Sequence, residues 1–447
     1  MAAVHKFNML LPKVLILGQT FNKKTGGGIT QSNLFSGWDK DKIAVACIAH
    51  LLIDSENEIC DNYYQLGEKE HKWKFPFNYL QKKFPSGKIN FDQNNSKRNT
   101  SVRVFNMRSK VRTTLVDKVF LPLLRYTGLN HTLSKISLSD DFCEWLDNFK
   151  PDIIYAQGQD RQRILFALLL ENYLKKPLIF HMMDDWPSSI SNKGPLKKFW
   201  QKKIDTEFRL LLDKSSLLMG ISDAMAIEYK RRYHKNFITF HNPLNIDFWK
   251  QKQKTNYELN SPVCILYAGR IGLGIETSLE ITARAIQLVN KKLETSIKFL
   301  LQTPERPIWG NNYSCVEYKN MVSYNELPKI FSEADFLLLP YDFSKESLQY
   351  IQYSMPTKAP EYMISGTPII LFAPESTAVV KYSAKYGWAQ IVTKKKTEEL
   401  VTAIINLVQN KSLRESIGKK AKMVAEEKHN STNVSNEFKR LICSLSD

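Results

Sequence analysis

The sequence predicts an α/β protein of two doubly wound parallel-sheet domains, and three observations carry that expectation. At 447 residues the chain exceeds what one hydrophobic core ordinarily serves. Each half alternates short apolar runs with amphipathic helical segments, the pattern of parallel sheets covered by helices on both faces. Between the halves lies a polar, charged stretch, Lys250 to Ser261, that reads as a linker. The expected division is therefore 1–250 and 251–427, followed by a long helical tail.

In the first half, KVLILG (Lys13 to Gly18) is a continuous apolar run and hence a buried strand. Three glycines, Gly26 to Gly28, follow it. Ile29 to Trp38 then shows helical spacing at Ile29, Ser32, Leu34 and Trp38. Ile43 to His50 is a second strand. The span Tyr64 to Ser101 is basic, aromatic and interrupted by Pro76 and Pro85, so surface helices and loops are expected there rather than sheet. Pro151 to Gly158 and Pro177 to Trp186 are strands flanking a helix from Ile164 to Leu174. Gly194 to Lys214 puts Leu196, Trp200, Ile204, Phe208 and Leu211 on one helical face. Ser215 to Ser222 and Phe237 to Leu244 complete the first sheet.

The second half opens on the strand Val263 to Arg270. A helix (Ser278 to Leu293), a strand (Ser296 to Thr303), the helix ELPKIFSEA and the strand Asp335 to Tyr341 follow. Ser354 to Phe372 then supplies a helix start and a further strand, and Ser412 to Cys443 is helical. In open parallel sheets ligands bind outside the carboxyl ends of the strands, so the loops after strands are the places to look.

Composition narrows the function classes. A hydrophobic content of 43% with 24% charged residues is ordinary for a globular protein. No run of about 18 apolar residues exists to span a bilayer, and the first 18 residues are not expected to be a secretory leader. The six cysteines are scattered without CxxC spacing, which argues for a reducing compartment and against a structural zinc site. The net charge is +18, and Gln65 to Lys135 alone holds 15 Lys and Arg against 4 Asp and Glu. Trp73, Phe75, Phe77, Tyr79, Phe84, Phe91 and Phe105 are interleaved there. Such a surface suits an anionic membrane leaflet. The signatures of a nucleic-acid-binding module are missing, so no nucleic-acid partner is expected.

Several residues sit where strands end. Gly27 and Gly28 would let a backbone come close to a phosphate or sugar, but neither they nor GRIGLG (Gly269 to Gly274) has the spacing of the dinucleotide fingerprint. His181 closes a strand. Asp184 and Asp185 follow it and could cap the segment entering Pro187, with acceptor contact left open for Asp185. Ser222 most simply caps the helix beginning near Ala224. Arg270 follows its strand directly, where a guanidinium can grip two phosphate oxygens. Lys358, Glu361 and a helix start occur together between Ser354 and Phe372. A cation, a carboxylate and helix-terminal N–H groups suit a nucleoside diphosphate: amides and ammonium for phosphate oxygens, the carboxylate for ribose hydroxyls.

The segment Pro356, Thr357, Lys358, Glu361, Tyr362, then Gly366 to Ile370, resembles the Pro-Thr-Lys-x-x-Glu-Tyr helix start and Gly-Thr-Pro-Ile-Ile strand of group 4 glycosyltransferases. That resemblance covers most of the chain and is weakest between Tyr64 and Lys150. It implies the GT-B fold, two Rossmann-like domains facing across a cleft, with a final helix (about 428–447) returning to the first domain. It implies catalytic roles for His181, Arg270 and Lys358, and donor-binding roles for Gly27, Gly28, Asn242, Thr357 and Glu361. The backbone around Met321 to Ser323 is the family's place for the base edge. Two departures stand out. The Lys that follows the family's Arg by five residues is Ile275 here, and the first carboxylate of its Glu-x7-Glu pair is missing at Tyr353 and Ser354.

The expected activity is transfer of a sugar from a nucleotide-diphosphate donor to a saccharide or glycolipid acceptor. The acceptor would be lipid-linked or presented at a membrane, in surface polysaccharide or lipopolysaccharide synthesis. The reaction is expected to be retaining and metal-independent, with no cofactor beyond the donor. The expected location is cytoplasmic, peripheral on the inner face of the cytoplasmic membrane. Two alternatives remain: a nucleotide-sugar epimerase on the same architecture, and a degenerate domain that binds a sugar nucleotide or a partner without catalysis.

Overall fold

The computed structural model describes residues 10–90, 116–190, 193–272 and 274–445. The chain divides into two compact units. One comprises Met1–Gly220, Glu228–Ile238 and Ser435–Asp447, and the other Ile221–Ile227 and Thr239–Val434.

Among the described residues the first unit holds ten strands: β1 (Val14–Leu17), β2 (Ile43–Ile48), β3 (Tyr63–Leu66), β4 (His71–Trp73), β5 (Gly87–Ile89), β6 (Ser134–Ile136), β7 (Ile153–Ala156), β8 (Leu178–Met182), β9 (Leu217–Gly220) and β10 (Ile238–Thr239). Eight form one sheet in the order β10-β9-β8-β7-β1-β2-β3-β5, while β4 and β6 pair separately. From β9 to β3 the neighbours are parallel. Every residue of β1 and β7 is buried, as continuous apolar runs require of strands covered on both faces. The strand order reverses at β1, with β2 on one side and β7 on the other. The crevice at such a reversal lies at Leu17, Ala46 and Ala156, which share one register. The final helix, Ser431–Cys443, brings Phe438 into an aromatic cluster with Phe35 and Tyr155, at centroid distances of 5.1 and 5.7 Å.

The second unit holds six parallel strands: β11 (Val263–Ala268), β12 (Ile297–Gln302), β13 (Val316–Lys319), β14 (Phe336–Pro340), β15 (Ile369–Phe372) and β16 (Gln390–Val392). Their order is β13-β12-β11-β14-β15-β16. Here the reversal falls between β11 and β14, so the loop after β11 is the predicted ligand position.

Several local expectations are corrected. The span expected to lack sheet contains β3, β4 and β5. Tyr63 to Leu66 is a fully buried parallel strand whose tyrosines and glutamine mask the usual apolar pattern. Tyr64 packs on Phe142 and Trp145, and the Gln65 amide donates to Pro85 O at 2.7 Å. The first helix begins at Gly26 rather than Ile29, because Thr25 caps it by accepting from Gly28 N. The strand expected over Phe237 to Leu244 shrinks to two residues. Residues read as a linker are bound to the second unit. Lys254 is buried, and its amine donates to Ala334 O at 2.8 Å; Arg414 Nε donates to Tyr257 O at 2.9 Å. The helical tail breaks after Lys428, where the His429 carbonyl leaves the helix to accept from Leu244 N.

Candidate active site

The second unit gathers its site around the end of β11. Gly269 follows the strand with φ of +148°, a backbone region that side chains rarely occupy. A Cβ there would lie 1.6 Å from Lys358 Nζ, so the glycine is what leaves room for the amine. Lys358 opens the helix Lys358–Ser365, whose N-cap residue Thr357 makes no side-chain cap. Helix-terminal N–H groups therefore lie beside the amine, and that end of the helix favours negative charge. The Lys358 ammonium sits 4.7 Å from the Tyr267 ring centroid and 3.5 Å from its hydroxyl. The Tyr267 hydroxyl also donates to Arg270 O at 2.5 Å, holding the turn that exposes the Arg270 side chain.

Charge in this cluster is poised near neutrality. Burial pushes Lys358 down to about 8; Glu361 pulls it up and Arg270 adds to the depression. Burial pushes Glu361 up to about 7, opposed by a hydrogen bond from the Tyr324 hydroxyl and by Lys358. Tyr324 is itself fixed: Phe248 stacks on it at 5.4 Å with planes 9° apart, and Trp249 Nε1 approaches its hydroxyl at 3.4 Å. Tyr362 locks the helix to the strand, its hydroxyl accepting from Ala268 N at 3.2 Å. Two nearby cations and a carboxylate, backed by oriented tyrosines, have the chemistry to bind an anion that carries hydroxyl groups.

The other residues expected on the donor side fall as follows. Asn242 is buried and donates to Met355 O at 3.0 Å, which fixes the loop ahead of Pro356. Ser222 caps its helix by accepting from Met225 N and donates to Tyr353 O at 2.6 Å. Met321 is exposed. Ser323 caps a helix start in a capping box, with both its N–H and its hydroxyl donating to Glu326. Ile275, where the family's lysine would stand, packs at the edge of the apolar core.

In the first unit, His181 is fully buried in β8. Its Nδ1 lies 2.7 Å from the Tyr155 hydroxyl. The Gln157 amide donates to that hydroxyl at 3.2 Å and to Gln31 Oε1 at 3.0 Å. Where the tyrosine donates to Nδ1, Nε2 is the protonated nitrogen. Nε2 has no hydrogen-bond partner, and burial holds the ring neutral with its pKa near 3. A neutral imidazole with a spare N–H can donate to a hydroxyl or ether oxygen.

Gly27 and Gly28 lie in the first turn of the helix Gly26–Leu34. A Cβ on either would strike Gln19 or Asn22, at 2.0 and 2.2 Å. The space each glycine leaves at Cα is taken up by this chain's own side chains. Asp185 is buried, accepting from the Tyr229 hydroxyl at 2.8 Å, the Ser188 hydroxyl at 2.8 Å and Arg232 at 3.1 Å; these bonds tie down the segment entering Pro187, as expected of a capping carboxylate. Sequence reasoning missed Tyr267, Tyr324, Tyr155 and Gln157. Their one signal was position, each lying in or just after a strand or at a helix start.

Of the basic segment Gln65 to Lys135, residues 91–115 lie outside those described. The described part exposes Phe75, Tyr79, Val119, Leu123 and Tyr126 beside Lys72, Lys74, Lys82, Lys118 and Arg125. Among the described residues no helix is long and apolar enough to cross a membrane, and no three His, Cys, Asp or Glu are grouped to hold a metal ion.

Residues 262–410 match the family model for glycosyl transferases group 1, which places a domain of that family across β11 to β16. No curated protein matches. Solved structures match over nearly the whole chain. The sucrose-phosphate synthase of Thermosynechococcus elongatus has 11% identity and TM-score 0.58, covering 97% of this chain and 98% of its own. Anabaena HepE in complex with UDP-glucose has 13% identity and TM-score 0.56, covering 97% and 100%. WaaG, a glycosyltransferase involved in lipopolysaccharide biosynthesis, has 12% identity and TM-score 0.56, covering 96% and 99%. The fold is GT-B.

Proposed function

We propose a reaction for what the family domain and the GT-B fold identify as a glycosyltransferase: transfer of a sugar from a nucleoside-diphosphate sugar to a saccharide acceptor. The observation that carries the proposal is the Lys358 amine seated against Gly269, with Arg270 and Glu361 beside it. In this reading Arg270, Lys358 and the N–H groups at the start of helix Lys358–Ser365 take the diphosphate. Glu361, steadied by Tyr324, accepts from the ribose hydroxyls. Asn242 and Thr357 shape the loop and helix start that present them, and the backbone near Met321 borders the base.

Reaction breaks the bond between the anomeric carbon and the diphosphate oxygen, and the electron pair leaves with the nucleoside diphosphate. Stabilising the growing negative charge on that oxygen is the main catalytic contribution, and the two cations and helix end are positioned for it without a metal. The acceptor hydroxyl forms the new bond and gives its proton to the departing phosphate, a retaining, front-face course that needs no protein base. His181 Nε2–H serves a sugar hydroxyl. Anabaena HepE, which shares the fold, was solved in complex with UDP-glucose, so uridine diphosphate sugars are the first donors to test.

The acceptor is read as a glycolipid or lipid-linked saccharide of surface polysaccharide or lipopolysaccharide synthesis. The protein would work as a peripheral protein on the inner face of the cytoplasmic membrane. The exposed apolar side chains among lysines in the first unit support this, since each near-surface Lys or Arg contributes about 1 kcal/mol on an anionic leaflet.

A thermal-shift screen of the pure protein against UDP, GDP, ADP and CMP, with and without EDTA, tests the donor assignment. Binding to the native state alone raises Tm by mass action. A rise with one diphosphate that persists in EDTA is expected. No response to any of them would favour a degenerate binding domain.

A further inference from the structure

The first unit contains a cavity of about 390 Å³ at the carboxyl ends of β1, β2, β3 and β7. Its volume lies within the roughly 300–1,000 Å³ of small-molecule sites. Its walls are mainly apolar, formed by side chains including Leu66, Leu80, Phe84, Leu121 and Phe166. One polar wall is Gln157. That side chain is buried, its Oε1 accepts no hydrogen bond, and its amide leads through the Tyr155 hydroxyl to His181. His71 also lines it, and its ring Nδ1 is likewise buried without a partner. The mainly apolar lining thus includes two unpartnered polar groups, one of them linked to His181, together with charged side chains such as Glu68, Asp160 and Arg163.

Two segments wall the cavity and face outward as well. In the first, Trp73 and Leu80 line it while Phe75 and Tyr79 between them are exposed. In the second, the helical stretch made of Val116–Phe120 and Leu121–Thr127, Val116 and Leu121 line it while Val119, Leu123 and Tyr126 form an exposed stripe. Phe77 and Phe120 join the segments at 5.4 Å between centroids. A helix that covers a soluble core ordinarily turns a polar face outward. This one is apolar on both sides and is edged by Lys72, Lys74, Lys118 and Arg125, as expected where a cavity opens toward an anionic bilayer.

We propose that this cavity seats the hydrocarbon chain of an amphipathic acceptor, an acyl or isoprenoid chain, with the acceptor's polar end at Gln157 and His71. The proposal rests on the transferase reading for the word acceptor; the chain-binding site itself does not. Chain length should then set affinity, because each buried methylene adds favourable transfer energy.

The test titrates the full-length protein with inorganic phosphate, butyl phosphate, decyl phosphate and geranyl phosphate below micelle-forming concentrations. Decyl or geranyl phosphate should bind at least tenfold more tightly than butyl phosphate, and whichever binds better separates an acyl from an isoprenoid chain. Leu80→Arg and Leu121→Trp should each abolish that advantage, while the double variant Phe75→Ser, Tyr79→Ser keeps it. Every variant should keep the Tm rise given by the preferred nucleotide, which shows that it folds. Equal binding of butyl and decyl phosphate overturns the proposal. So does loss of the advantage in the outward-facing double variant with retention in both cavity variants. Chain binding without any nucleotide response would sink the transferase reading and leave the chain site standing.

Discussion

Gly269 and Lys358 form one device: the missing side chain of the first is the space that holds the amine of the second, 1.6 Å from where a Cβ would be. The +148° φ of Gly269 makes the same demand of the backbone. Gly269→Ala should therefore leave a folded protein whose Lys358 is displaced. Calorimetric titration should show nucleoside diphosphate binding weakened about tenfold or more, near 1.4 kcal/mol, with circular dichroism unchanged.

Lys358 also sets a pH dependence. Its folded pKa, about 8, is below the unfolded value near 10.4, so the buried charge costs stability at neutral pH. That cost is fully present below about pH 8 and is relieved as pH rises between the two values. A bound diphosphate favours the ammonium, so binding near pH 8.5 should take up a proton. Titrations in two buffers of different ionisation enthalpy measure this directly. Equal observed enthalpies in both buffers would count against a charged Lys358 at the diphosphate.

Glu361 has the opposite sign. Its folded pKa of about 7 lies above the unfolded value near 4.3, so stability falls as pH rises from about 4 to 7 and the cost is fully present above about pH 7. Below about pH 4 the group is protonated in both states and the cost vanishes. Glu361→Gln should raise stability at pH 8 by on the order of 1–3 kcal/mol and have little effect at pH 4, while nucleotide affinity falls at both. Denaturant unfolding at the two pH values checks it.

Asp185 was legible as a polar group after a strand, but its burial was not, because Tyr229 and Arg232 reach it from more than 40 residues away. Asp185→Ala should destabilise the protein by about 3 kcal/mol, as for removing one partner of a buried ion pair. In an acceptor titration KM should stay close to wild type, apart from loss of folded protein. A large KM change at wild-type stability would support an acceptor role.

The same contrast between local and distant information explains what the sequence disclosed. The Lys358 to Ile370 segment was readable because cation, carboxylate, helix start and strand lie within one short stretch. The alternating apolar runs likewise disclosed both parallel sheets. Tyr324 and Tyr267 were not readable as site residues. One reaches Glu361 across 37 positions and the other meets Lys358 across 91, and a tyrosine in or beside a strand looks like core. β3 was missed because Tyr63, Tyr64 and Gln65 bury polar atoms that its partners satisfy. The glycine triplet was legible, but its packing was not, since only coordinates show Gln19 and Asn22 beside it.

His181 should act on the transfer step rather than on nucleotide affinity. With its ring neutral to a pKa near 3, no titration of His181 should appear in the activity profile between pH 5 and 8. His181→Ala should lower kcat by about a hundredfold and leave the nucleoside diphosphate Kd unchanged. Steady-state kinetics alongside titration separates the two.

The proposed diphosphate site of the second unit is open to one direct measurement. The measurement is calorimetric titration of wild type and Lys358→Ala with the preferred nucleoside diphosphate and with the same nucleoside lacking phosphates, in EDTA. Wild type should bind the diphosphate at least tenfold more tightly than the nucleoside, and Lys358→Ala should lose most of that difference while binding the nucleoside normally. An undiminished diphosphate advantage in Lys358→Ala would contradict the placement of the donor at Gly269, Arg270 and Lys358.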